Sequence, residues 1–117
     1  MAFETNIPVY AQIADDIKQQ IISGKLPEEE KLPSLRECCE KYKVTLMTMR
    51  RAIERLEREN IVYSRNGVGT FVSDGVVPRL TAAELEKVVK AFVGTMRKMG
   101  YDDGDIVKSV KEGLENE

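Results

Sequence analysis

LPSLRECCEKYKVTLMTMRRAIERLERENIVYSRNGVGTFV, residues Leu32 to Val72, is the stretch from which the fold can be read. Glu37 follows Ser34 by three positions, the spacing of a capping box in which each side chain satisfies an otherwise orphaned backbone N–H. Leu35, Cys38, Cys39 and Tyr42 then recur at helical spacing. The polar run Lys41 to Lys43 interrupts that pattern, and Thr45 is placed to cap a second helix. On this second helix Met49, Ala52, Ile53 and Leu56 share one face, while Met47, Arg50, Arg51 and Glu54 point roughly the other way. One face suits a core and the other something outside it. Beyond Asn60 the strand formers Ile61, Val62, Tyr63 and Thr70, Phe71, Val72 flank Arg65-Asn66-Gly67-Val68-Gly69, which predicts a β-hairpin with a glycine-rich tip. Helix, turn, helix and hairpin make a winged helix-turn-helix.

These residues carry a resemblance. LPSLRE, then the segment Val44, Thr45, Thr48, Arg50, then RLERENIVYSRNGVGTFV, resemble the DNA-binding domain of the GntR family of bacterial transcription regulators, as does the leading PVYAQIADDIKQQIISGKL. The resemblance covers roughly the first two thirds of the chain. It implies that Arg36 and Arg50 contact DNA, and that the wing, through Arg65, Asn66 and Gly67, reaches the minor groove. The chain departs from the family pattern at three places. Glu28 stands where many members have glycine, Lys43 replaces a common turn glycine, and Leu46-Met47 occupy a position where arginine is frequent. At Leu46 and Met47 two readings stay open, contact with thymine methyl groups or packing against neighbouring protein.

Upstream, Pro8 suits the first turn of a helix whose stripe is Tyr10, Ile13, Ala14, Ile17 and Ile21, with Gly24 as its end. Downstream, Asp74-Gly75-Val76-Val77-Pro78 reads as a linker, and Thr81 with Glu84 repeats the capping-box spacing, so a new helix is expected from Thr81. Leu85, Val89, Phe92, Met96 and Met99 step by 4, 3, 4 and 3 along it, the spacing of a seam. Gly100 closes that helix, and Ile106, Val107, Val110 and Leu114 mark a short last one. The expected organisation is a winged helix-turn-helix domain over 1–75 and a linker with a two-helix dimerisation tail over 76–117. The fold class is mainly α with a small β-hairpin. The seam could instead pack on its own winged domain. A short helical tail in place of a larger effector domain resembles the YtrA-type members of the GntR family.

Composition bounds the function. With 117 residues and 42% hydrophobic content the chain can build a modest core, and no apolar run approaches the roughly 20 residues of a membrane span. Met1-Ala2-Phe3-Glu4-Thr5 lacks the pattern of a secretory signal, so a cytoplasmic protein is expected. The adjacent Cys38 and Cys39 read as core residues, and with no His a metal site is not expected. No nucleotide loop or catalytic triad is apparent, so neither enzyme nor cofactor is expected. The net charge of −2 runs against the basic balance usual for nucleic-acid binding. Local field matters more, and the acidic residues gather in Glu28 to Glu30 and in the tail, leaving the contact face to Arg36, Lys43, Arg50, Arg51 and Arg65.

The sequence therefore predicts a homodimeric transcription regulator, a repressor by preference, on a twofold-related double-stranded DNA operator. The expected DNA contacts are Arg36, Thr45, Thr48, Arg50, Arg51, Arg65, Asn66 and Gly67; the expected dimer contacts are Leu85, Val89, Phe92, Met96 and Met99. An unidentified small-molecule effector is compatible with this. The alternative is a winged-helix module for protein interaction that does not bind DNA.

Overall fold

The computed structural model describes residues 1–117, with the element order α1 (Val9–Ile22), α2 (Leu35–Tyr42), α3 (Leu46–Arg58), β1 (Val62–Arg65), β2 (Gly69–Val72), α4 (Val76–Lys98) and α5 (Asp103–Glu115). The chain divides into two compact units, Met1–Leu80 and Thr81–Glu117.

In the first unit α1 buries Ile13, Ala14, Ile17 and Ile21, the stripe expected from their spacing, and α3 buries Met49, Ala52, Ile53 and Leu56. Their core is completed by Leu32, Cys38, Tyr42, Ile61, Val62 and Val72. A polar cluster fastens α1 to α2: the Tyr42 hydroxyl donates to Asp16 Oδ2 at 2.6 Å, and Gln20 Nε2 donates to the same oxygen at 2.8 Å. Burial, reinforced by the hydrogen bond to the Asp16 carboxylate, pushes the Tyr42 phenol far above its ordinary value. Burial likewise raises the Cys38 thiol, in keeping with a core residue; Cys39 is half-buried, and both thiols are free. The strands pair antiparallel, with Val62 opposite Val72 and Tyr63 opposite Phe71. Residues 29–32 run along β2, where Leu32 N–H donates to Thr70 O at 2.8 Å and Val72 N–H to Glu30 O at 3.0 Å.

The expected linker is not one. α4 begins at Val76, so Gly75 ends the approach at φ 73°, Pro78 sits in the first turn and Thr81 is already inside the helix. Proline is tolerated there because a first-turn N–H has no intrahelical acceptor. The cap comes from far away in sequence: the Glu28 carboxylate accepts from Gly75 N–H at 2.8 Å and Val77 N–H at 2.7 Å, which lowers its pKa. Arg79 donates to the carbonyls of Glu59 and Asn60 at 3.0 and 2.8 Å, and Val76 and Leu80 join the core. The first turn of α4 thus belongs to the winged unit.

In the second unit α4 runs on to Lys98, Gly100 takes φ 89°, and Asp102 starts α5 through a capping box with Asp105. Met96 and Ile106 are buried, whereas Leu85, Val89, Phe92 and Met99 of the expected seam remain exposed, as do Val107, Val110 and Leu114.

Candidate nucleic-acid interface

The reading unit is built by two caps and one strained residue. Ser34 accepts from Glu37 N–H at 3.1 Å while Glu37 Oε1 accepts from Ser34 N–H at 3.2 Å, the capping box expected from the sequence. Lys43 ends α2 in the left-handed region (φ 55°, ψ 51°), where glycine would be comfortable, and Val44 N–H returns to Cys39 O at 3.1 Å. Thr45 is extended and caps α3, accepting from Thr48 N–H at 3.3 Å and donating its hydroxyl to Thr48 Oγ1 at 3.1 Å. Capping therefore engages Thr45 inside the protein, and its hydroxyl is turned toward its own helix.

The arginines expected at the interface divide into groups. Arg50 is exposed and lines a cleft of about 400 Å³ bounded by the start of α2, α3 and the hairpin, together with Leu35, Ile53, Glu57, Ser64 and Thr70. It stands where the reading helix faces the wing. Arg36, with its side chain 90% exposed, is within 3.8 Å of Glu40, an i,i+4 pair of little energetic weight. Arg51 leans back toward α1, its guanidinium carbon 4.5 Å from the centre of the Tyr10 ring. It is the one expected contact arginine held by a neighbouring helix.

Arg50 and Arg58 each lie four residues from Glu54, yet neither pairs with it. Glu59 is the acceptor on this helix instead, 3.6 Å from Arg55 and 3.1 Å from Lys18 of α1. Glu59 thus takes one local and one tertiary partner, and Arg50 has no carboxylate within ion-pair distance.

The wing presents Arg65, Asn66 and Gly67 at its exposed end, where Val68 N–H closes a turn on Arg65 O at 3.0 Å and Gly67 takes φ 74°. Gly69 takes φ 144°, a backbone conformation that L side chains rarely adopt, and the Lys31 side chain lies across it. Tyr63 and Phe71 stack across the strands with centroids 5.5 Å apart, and the Arg65 guanidinium carbon lies 5.8 Å from each ring centre. This aromatic seat steadies Arg65, and the period-two alternation that puts Tyr63 and Arg65 on one face is the signal that could have revealed it. Of the carboxylates lining the cleft, Glu57 accepts from the Ser64 hydroxyl at 3.1 Å, while the Glu54 side chain makes no ion pair or hydrogen bond.

Comparison with known proteins places this arrangement. The family described as bacterial regulatory proteins, gntR family, matches residues 9–72, from the first residue of α1 to the last of β2. The chain belongs to the GntR family. It is 32% identical over 111 residues to the uncharacterised transcriptional regulator YhcF of Bacillus subtilis, covering 93% of this chain and 92% of YhcF. The repressor YtrA of the same organism is 29% identical over 84 residues, which span 72% of this chain and 65% of YtrA. Of longer GntR-family relatives the chain spans 19 to 40%. A GntR-family regulator from Listeria monocytogenes superposes with a TM-score of 0.85 at 28% identity, over 94% of this chain and 98% of that one. The AraR DBD in complex with operator ORX1 matches at a TM-score of 0.58 and 32% identity, over 62% of this chain and 93% of that one. Members of the family are transcription regulators, and no helix here is long and apolar enough to cross a membrane.

Proposed function

We propose that the chain acts in the cytoplasm as a homodimeric repressor that binds a twofold-related operator through α2, α3 and the wing and catalyses no reaction. The observation that carries this reading is Arg50, exposed at the start of α3, unpaired, and facing the cleft toward the wing. An arginine fork in that place pairs with guanine or with phosphate, and helix-turn-helix proteins lay the N-terminal part of this helix against base edges. Arg36 on α2 and Arg65 on the wing add cations on either side. In this reading they hold the backbone while α3 reads the groove. The relatedness to an operator-bound domain and to named repressors supports it. The exposed seam Leu85, Val89, Phe92 and Met99, with Met96 beneath it, is the proposed dimer contact. A small-molecule effector is compatible with the reading.

The exposed Leu46 and Met47 and the net charge of −2 favour a second reading, a module that binds a protein partner in place of DNA. Titration of the full chain against short genomic duplexes between 50 and 200 mM salt separates the two. With about six to ten phosphate contacts per dimer the affinity should fall roughly 10³- to 10⁵-fold over that range. A flat salt response would sink the DNA reading.

A further inference from the structure

Leu46 and Met47 open α3 and both are exposed, Leu46 at 49% and Met47 at 70%. Of the two readings open from the sequence, contact with thymine methyl groups or packing against neighbouring protein, both need a surface outside the first turn of α3 for Met47. At about 100° per residue Met47 lies nearly opposite the buried face formed by Met49, Ala52 and Leu56. Thr45, which could have offered a hydroxyl at the same end, is turned into the cap. Arg50 follows Met47 by three positions and Leu46 by four, so a cation stands directly beside the apolar pair. Arg51, four positions after Met47, leans onto Tyr10 and leaves Met47 uncovered. The first turn of the reading helix is thus an apolar knob with a cationic rim.

A surface that matches it is apolar at its centre and anionic around it. In the major groove the thymine C5-methyl is the apolar group among donors and acceptors, and it lies between two phosphate rails. Arg50 beside the apolar pair favours this surface over a purely apolar protein face. We infer that Leu46 and Met47 read thymine methyl groups, so that each operator half-site carries thymine at the one or two base pairs under the start of α3. The inference rests on the DNA-binding reading above and deepens it.

The test deletes the methyl and nothing else. Duplexes are selected from a randomised pool with the full-length protein, and each thymine of the selected site is then replaced by uracil. One or two positions in each half-site should lose about fourfold in affinity, the effect of one methyl-sized group removed from contact. With Met47→Ala or Leu46→Ala the same replacement should cost nothing further, because the partner of the methyl is already gone. Selected sites indifferent to every thymine-to-uracil change within twofold would overturn the inference while leaving DNA binding intact. Losses that persist undiminished in both variants would overturn it as well, since other residues or duplex shape would then be responsible. Failure to enrich any duplex would remove the DNA-binding reading and this inference together. Both side chains are exposed, so the variants should fold, and melting curves check that.

Discussion

The winged unit and the tail are both made of amphipathic helices, yet they treat their apolar residues in opposite ways. In Met1–Leu80 the helices α1 and α3 and the hairpin enclose Ile13, Ile21, Met49, Leu56, Ile61, Val62 and Val72, all fully buried. In Thr81–Glu117 only Met96 and Ile106 are covered, and Leu85, Val88, Val89, Phe92, Met99, Val107, Val110 and Leu114 face water. The difference is one of number. Three helices and a hairpin surround a centre, whereas two helices share a single contact and leave their outer apolar sides bare. The winged unit encloses its own core, whereas the tail leaves most of its apolar residues uncovered.

The largest effect should come from removing the tail. A chain ending after Leu80 keeps the whole winged unit and should sediment as a folded monomer, with affinity for a full operator lowered by about 10²- to 10⁴-fold through loss of bivalency. Phe92→Glu should act in the same direction without touching a DNA contact. A parent protein that sediments as a monomer at working concentration would erase the contrast between the units. Ending the chain after Gly75 is a different experiment, because it also strips Val76 and Leu80 from the core and should leave an unstable fragment.

Next in size is a change at the surface of the complete unit. Arg50→Ala should weaken specific binding by about 1 to 3 kcal/mol while the melting temperature stays put. Unchanged operator affinity in a well-folded variant would take Arg50 out of the interface.

A smaller change should stabilise the winged unit. Lys43 holds a left-handed conformation at the end of α2, so Lys43→Gly should raise stability by roughly 1 kcal/mol in chemical denaturation. No gain would mean that the Lys43 side chain contributes as much as its backbone strain costs.

The smallest effect concerns Glu28. Its pKa is lowered by hydrogen bonds from Val77 and Gly75, so its contribution is fully present above the ordinary glutamate value of 4.5 and is lost as pH falls through the lower folded value. Glu28→Gln should melt earlier than the parent at neutral pH, and the gap should close as the solution is acidified below 4.5. A gap that is constant from pH 7 to pH 3 would show that the charge of Glu28 is immaterial to the cap.

How far the sequence carried depended on how local each signal was. The capping box of Ser34 and Glu37, the Thr45 cap and the stripes of α1 and α3 follow from residues three or four apart, and all were legible. The start of α4 was not, because its cap is a carboxylate 47 and 49 residues upstream, while Pro78 and the Thr81–Glu84 spacing gave a nearer but misleading signal. Ion pairing near the end of α3 is only half local, since Glu59 takes Arg55 four residues away and also Lys18, 41 residues away. At the interface, periodicity put Arg50 and Arg51 on one outward face. Only the position of Tyr10, on another helix, separates them.

The anchored first turn of α4 also bears on where the chain can be cut. Asp74 to Pro78 has the glycine and proline of a protease-sensitive connector, yet a protease needs an extended backbone and these residues are fastened at both ends of the turn. Gly75 and Val77 are held by Glu28, and the Arg79 side chain that trypsin would have to grip is bonded to Glu59 and Asn60. Lys87 and Lys90 lie farther along α4, exposed, where only the helix's own hydrogen bonds and the Lys90–Glu86 pair oppose local opening. Brief digestion should therefore release a resistant fragment that ends past Leu80, and the size of that fragment marks the true edge of the winged unit.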